Sequence, residues 1–423
     1  MTRENSFFGS FILFLLISVV LTTKAQVPKD YSVATWYGFK TAAVTYTFDD
    51  NTTKQLPVAM PLFDQYNFKM TFFTVTSWSP NWTALKKASE NGHEVGSHTV
   101  SHPVLNTLSI EEQDKELEQS LKAINSNITN TKCVSIAYPN CILGNLAELK
   151  KYYMVGRICS GSIVSSSPAD FFNISSIVCG TQGSIKLAKD FNTKVSGAKS
   201  TKGWCVFLIH GIDDDGGWSP VQSTELASHL SFMNDNQKDY WIGTFGDVAK
   251  YIRERNSVSL TETAITADSL LISVKDTMDN SIFDVPLTIR RVLPSGWVNA
   301  KVYANGKTAN YSVTTINSQN YVVFDVIPDQ EEISIVKSEE IMSSVSPENN
   351  MNPFRIGPNP FSQQFRINTN GVYSYSIHSL DGKLVEKGTC DSNIATGQSL
   401  KRGVYLLILK NARECFRTKI IKS

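Results

Sequence analysis

The stretch Ala43-Val44-Thr45-Tyr46-Thr47-Phe48-Asp49-Asp50 decides how the chain is read. Its first six residues are small, β-branched or aromatic, which is the composition of a strand. Two carboxylates follow at the strand end, where both cannot face a core. Taken alone, such a pair reads as a turn or a helix start. Working outward, five apolar runs of similar length follow: Met70–Val75, His93–Ser97, Val134–Tyr138, Met154–Arg157 and Cys205–His210. Helical patterns separate them at Val58–Tyr66, Trp82–Asn91, Ile110–Asn125 and Leu143–Tyr152, and another follows at Ser223–Asn236. Ser109 and Glu112 form a capping box ahead of the third helix. From Ala42 to about Asn256, strands alternating with helices indicate an α/β layer with a mainly parallel sheet or barrel.

Two further motifs sit on this frame. Ser97-His98-Thr99-Val100-Ser101-His102-Pro103 places histidines at i and i+4. On a helix that spacing shares one face and can chelate a divalent cation. The chain has only six histidines, so two at this spacing carry weight. Val206-Phe207-Leu208-Ile209-His210 is a β-run ending in a histidine, where parallel sheets place active sites. The competing reading is a hydrogen-bonded histidine at an ordinary strand end.

In this order, the motifs resemble the polysaccharide deacetylase family, whose catalytic domain is the NodB homology domain or carbohydrate esterase family 4. The resemblance covers roughly residues 41–255. It implies an irregular (β/α) barrel. It implies that Asp49 is the catalytic base, that Asp50, His98 and His102 hold one divalent metal ion, and that His210 is the catalytic acid. Zinc suits such a nitrogen and oxygen ligand set. The chain also departs from the family. The third motif, usually Arg-Pro-Pro-Tyr, is here Ala137-Tyr138-Pro139-Asn140, so the arginine that orients the base is missing. The backbone N–H of Asn140 retains the oxyanion role, which needs no particular side chain. The Asp-x-x-Asp-Trp motif is absent. Arg157, at another strand end, is a candidate for the missing guanidinium; the alternative is an ordinary structural arginine. Asp213, Asp214, Asp215 and Trp218 read either as the rim of a sugar cleft or as a solvated acidic loop with a packed indole.

The chain has 423 residues, enough for two or three domains, and 41% of them are hydrophobic, which excludes wholesale disorder. A net charge of +1 removes the case for a general nucleic-acid binder. The charge is uneven: Phe354 to Ser423 carries eleven Lys+Arg against four Asp+Glu, a net of +7 that leaves −6 for the rest. Residues 1–25 read as a secretory signal peptide, with an apolar run from Phe11 to Leu21 and cleavage after Ala25. No later stretch reaches 18 apolar residues, so no membrane span is expected in the mature protein. An exported chain permits disulfides among its seven cysteines. Their pairing is not legible, although Cys205, inside an apolar run, reads as a buried free thiol.

The catalytic domain is expected over residues 26–256, followed by a small all-β sandwich over 257–337, a linker over 338–353 and a second β module over 354–423. In the last module, Gly357-Pro358-Asn359-Pro360-Phe361, Leu380-Asp381-Gly382-Lys383 and Arg402-Gly403-Val404-Tyr405 resemble the C-terminal sorting domain of type IX secretion. The type IX machinery is then a partner, and the protein is secreted or held at the outer cell surface. The expected function is a secreted metal-dependent deacetylase acting on an acetylated polysaccharide, with an acetylxylan-type ester favoured over an N-acetyl amide. The alternative is a non-catalytic carbohydrate-binding or scaffold protein on a decayed domain.

Overall fold

The computed structural model describes residues 27–339 and, further on, 354–357, 359–369, 371–379, 383–411 and 415–422. The expected signal peptide, nearly all of the linker and the Asp381-Gly382 turn lie outside the described residues. The chain divides into two compact units, Met1–Ile341 and Met342–Ser423.

The first unit is built on a parallel sheet. Its strands are β2 (Ala42–Asp49), β3 (Thr71–Thr74), β4 (Glu94–Ser97), β5 (Ser135–Ala137), β6 (Val155–Arg157), β7 (Ile177–Val178), β8 (Trp204–Ile209) and β9 (Tyr240–Ile242). Their order is β6-β5-β4-β3-β2-β8-β7, with β9 also on β2. Every residue of the central β2 is buried, which explains its nearly unbroken apolar run. A parallel bridge from Arg157 to Ile174 links β6 to the segment leading into β7 and curls the sheet toward closure. This is the expected barrel-like α/β layer.

The helices are α1 (Met60–Asp64), α2 (Trp82–Glu90), α3 (Ile110–Asn127), α4 (Leu146–Tyr152), α5 (Ala188–Thr201), α6 (Ser223–Asp235) and α7 (Phe245–Ser257). The capping box at Ser109 and Glu112 is formed at the start of α3. Four elements go beyond the sequence reading. Strands β7 and β9 have two and three residues, too short for a periodic signal. Helix α5 is rich in Lys, Ser and Thr and buries only Phe191, Val195 and Ala198, a thin stripe. Helix α7 shows a stripe of Phe245, Val248, Ala249 and Ile252 that periodicity does reveal.

Downstream, the expected β-sandwich forms. One sheet has the order β1-β12-β16-β15, from β1 (Tyr31–Val33), β12 (Leu287–Val292), β15 (Tyr311–Ile316) and β16 (Gln319–Val326). The other runs β10-β11-β17-β13-β14, from β10 (Ser259–Thr266), β11 (Ser269–Lys275), β13 (Ala300–Ala304), β14 (Lys307–Thr308) and β17 (Glu332–Lys337). Strand β1 precedes the catalytic sheet in sequence yet pairs antiparallel with β12, Tyr31 opposite Arg291. Tyr251 of α7 is buried in the sandwich core and donates a hydrogen bond to the Ala34 carbonyl. Phe283, from the sandwich, is buried beside Phe245 and Ala249 under the parallel sheet. Each such aromatic burial stabilises by about 1.5–3 kcal/mol, so the two layers share cores.

The named strands of the second unit pair antiparallel. One sheet is β18 (Phe354–Gly357), β19 (Phe365–Thr369) and β22 (Asn393–Thr396). The other joins β20 (Tyr373–Ser379), β21 (Leu384–Cys390), β23 (Gly403–Lys410) and β24 (Cys415–Lys422) in the order β21-β20-β23-β24. Alternate residues of β23, Tyr405, Leu407 and Leu409, point into its core with Phe365, Ile377 and Ile420. Among the described residues, no helix is long and apolar enough to cross a membrane.

Candidate active site

Strand β2 delivers Asp49 while still in extended conformation. The chain then turns through two left-handed residues, Asp50 (φ 71°) and Asn51 (φ 53°). Asp and Asn tolerate this region better than most side chains. The Asn51 amide donates to the Val75 carbonyl at 2.8 Å and ties the turn to the end of β3. Gln55 Nε2 donates to the carbonyls of both Asp49 and His210. Thr52 Oγ1 also donates to the His210 carbonyl, at 3.0 Å. The ends of β2 and β8 are thereby held together.

The two histidines of the second motif do not share a helical face. They lie on an irregular loop after β4, in which Thr99 (φ 66°) and His102 (φ 63°) are left-handed. The loop is folded by side chains that satisfy its backbone. Glu116 of α3 accepts from the N–H groups of Val100 and Ser101 and from the Ser101 hydroxyl. Thr99 Oγ1 accepts from the His102 N–H. These local bonds replace the helical ladder. The two imidazoles end up edge to face, with centroids 4.7 Å apart.

All five polar side chains expected at the site meet at the carboxyl end of the sheet. Asp50 Oδ1 lies 3.4 Å from His98 Nε2 and 3.5 Å from His102 Nε2. Asp49 Oδ2 is 3.6 Å from His98 Nε2, and His210 Nε2 is 3.8 Å from Asp50 Oδ2. One ligand atom each from Asp50, His98 and His102 falls within 4.8 Å of the others. The donor set fits a divalent ion. His98 Nδ1 contacts the Ala137 carbonyl at 2.8 Å; a carbonyl only accepts, so Nδ1 carries the proton and Nε2 offers its lone pair to the site. Asp50 Oδ1 is buried and has no hydrogen-bond partner among the described residues.

The electrostatics differ from one group to the next. Burial opposes a charge on Asp50, but contact with His98 and the nearby His210 and His102 hold its carboxyl below the usual range. Burial likewise opposes charge on His98, yet Asp49 and Asp50 outweigh it and raise this imidazole above its ordinary value. Burial and the neighbouring His98 lower His102. Burial also lowers His210, and the two carboxylates offset it only in part.

Asn140 lies in the short turn Pro139–Cys141 beyond β5, in a left-handed conformation (φ 54°) and exposed. A Cys141–Cys159 disulfide, Cα–Cα 5.6 Å, joins this loop to the segment after β6. That pairing was not legible in the sequence. Cys205 is a buried free thiol, as read. Arg157, on β6, is 2% exposed and reaches Asp49 with Nη2 to Oδ2 at 2.5 Å. Trp218 meets His210 edge to face at 4.7 Å, and its side chain is 51% exposed. The three aspartates before it turn away: Asp213 accepts from the Ser223 N–H, Asp214 pairs with Lys54, and Asp215 accepts from the N–H groups of Lys54 and Gly217. Trp78, absent from the sequence reading, packs against His102 with tilted rings 5.2 Å apart and is 48% exposed. Its signal was its place just past a strand's carboxyl end, where ligand-facing residues gather.

Residues 38–150 match the model of the polysaccharide deacetylase family, and residues 355–423 match that of the secretion system C-terminal sorting domain. A gellan lyase from a Bacillus species is 27% identical over 334 residues, covering 73% of this chain and 13% of that protein. A peptidoglycan-N-acetylglucosamine deacetylase from Listeria monocytogenes is 32% identical over 83 residues, covering 19% of this chain and 18% of that protein. The chain thus spans less than a fifth of either relative. Among solved structures, the Xyl-CE4 domain of a multidomain xylanase from the hindgut metagenome of Trinervitermes trinervoides is 16% identical with a TM-score of 0.36, covering 49% of this chain and 89% of that one. Over residues 38–150 the chain therefore carries a polysaccharide deacetylase domain, and over residues 355–423 a secretion system C-terminal sorting domain.

Proposed function

We propose that this protein is a secreted, metal-dependent deacetylase that removes acetyl groups from a polysaccharide. The observation that carries the reading is the convergence of Asp49, Asp50, His98, His102 and His210 at one end of the sheet. Asp50, His98 and His102 would hold one divalent ion, zinc by preference for this donor set. When bound, the ion polarises the acetyl carbonyl and lowers the pKa of water. Asp49 takes the water proton on Oδ1, which is buried and unpaired among the described residues while Oδ2 is engaged by Arg157. The Asn140 backbone N–H donates to the developing oxyanion. His210 then delivers a proton from Nε2 to the departing sugar oxygen or nitrogen.

Trp78 and Trp218 present exposed indoles on either flank, suited to the apolar faces of sugar rings. The two curated relatives are named for different glycans, gellan and the N-acetylglucosamine of peptidoglycan. For this chain an acetylxylan-type ester is favoured, because export past the outer membrane by type IX machinery directs it to external rather than cell-wall polysaccharide. The test is acetate release from acetylated xylan, chitooligomers and peptidoglycan, with and without chelator. Binding of these glycans with no acetate released from any would identify instead a carbohydrate-binding domain.

A further inference from the structure

Ala137 occupies the place of the arginine that the family uses to orient its base, and on β6 its register partner is Arg157. We infer that Arg157 is the residue that positions Asp49 for chemistry, its guanidinium supplied from one strand further along the sheet. This rests on the deacetylase reading and deepens it.

Thr47 and Asp49 alternate along β2 and so point to the same face. Arg157 spans both, Nη1 donating to Thr47 Oγ1 at 3.1 Å and Nη2 to Asp49 Oδ2 at 2.5 Å. The Thr47 hydroxyl is fixed in turn, since it donates to the Phe207 carbonyl at 2.7 Å. The guanidinium lies over the Phe73 ring at 5.2 Å, a cation–π contact on its apolar side. Three strands thus hold one guanidinium: β2 through Thr47 and Asp49, β3 through Phe73, and β6 through its own backbone.

The backbone carrying Arg157 is also confined. A Cβ at Gly156 would lie 1.7 Å from the Tyr138 hydroxyl, so the Tyr138 side chain packs directly on the preceding residue. Two residues beyond, Cys159 is bonded to Cys141. The strand therefore has little freedom to withdraw the arginine. With one carboxylate oxygen of Asp49 occupied, the other is left buried and unpaired among the described residues. A base held in one rotamer with one free oxygen is what proton abstraction requires. Ala137 is not idle in this exchange. Its carbonyl accepts from His98 Nδ1, so the end of β5 orients a metal ligand while β6 orients the base.

The test is a double-mutant cycle on the full chain loaded with zinc, using acetylated xylan and an aryl acetate. Arg157→Ala is expected to lower kcat by about 10²-fold, the scale of a misplaced reacting group, with KM within about threefold and zinc affinity unchanged. Arg157→Lys keeps the charge but not the planar fork, and should recover part of the loss. On an Asp49→Asn background, either change should add little, since the group it positions is already disabled. Should Arg157→Ala fail to fold, Arg157→Lys carries the same cycle. Equal losses in both backgrounds, unchanged kcat in Arg157→Ala, or a zinc loss that tracks the activity loss would each overturn the inference. Wild-type protein that releases no acetate would overturn the deacetylase reading itself. An active wild type with indifferent Arg157 variants would overturn the inference alone.

Discussion

Two histidines flank the same strand. His93 precedes β4 and His98 follows it, and each is 2% exposed. At the amino end, both ring nitrogens of His93 are paired. Met70 N–H donates to Nδ1 at 3.2 Å, and Nε2 donates to Asp64 Oδ1 at 2.9 Å. At the carboxyl end, Nδ1 of His98 is held by the Ala137 carbonyl, whereas Nε2 faces two carboxylates, Asp50 at 3.4 Å and Asp49 at 3.6 Å. Burial lowers the first imidazole below its ordinary value, whereas Asp49 and Asp50 raise the second. Equal burial therefore hides opposite chemistry. A buried polar group whose partners are complete stabilises the fold, and one left incomplete beside others like it marks a site that expects a ligand.

The largest effect separating the two ends is expected from deletion of each ring. His98→Ala should abolish zinc binding and turnover together, as should His102→Ala, measured by metal analysis of purified protein and by acetate release. Retention of metal with full activity in either would remove the ligand assignment. Next in size are the proton-transfer groups. Asp49→Asn and His210→Ala should each lose about 10²–10⁴-fold while keeping the metal. The His210→Ala loss should shrink on an aryl acetate, whose leaving group needs little protonation, whereas the Asp49→Asn loss should not.

At the other end of the strand, His93→Ala should leave kcat and zinc content unchanged. It should cost about 2 kcal/mol in urea unfolding, because the Met70 N–H and Asp64 lose a buried partner. A loss of activity at undiminished stability would erase the contrast between the ends. The smallest effect is a pH dependence. Asp49 and Asp50 raise His98, so below its pKa the metal must displace a proton from Nε2. Affinity should therefore be complete above the raised pKa of His98 and fall by about tenfold per pH unit below it, with one proton released on binding. Asp50 and His102, both held low, add no further slope until more acidic pH. Calorimetry in buffers of different ionisation enthalpy measures the proton count directly.

The legibility of the site followed the same division. Asp49, Asp50, His98 and His210 were readable because each sits at the end of a strand whose apolar run announces it, and His102 because it follows His98 by four residues. The helical spacing of His98 and His102 was misleading, since i and i+4 also meet across a loop when Glu116 and Thr99 satisfy its backbone. Trp78 sat beside a strand end in plain view, but one exposed indole has no pattern of its own.

The sequence by itself determined the alternation of strands and helices, the residues proposed as metal ligands and proton-transfer groups, and the two β modules that follow. Those features are local: a strand's composition, or a motif a few residues long. The tertiary structure alone decided that β1 joins the sandwich, that Cys141 pairs with Cys159, and that Arg157 reaches Asp49 across 108 residues of chain. Contacts at that separation depend on strand order and register, which set which side chains meet on one face. No local pattern encodes them, because the same arginine on a neighbouring strand or one residue out of register would point away from the site.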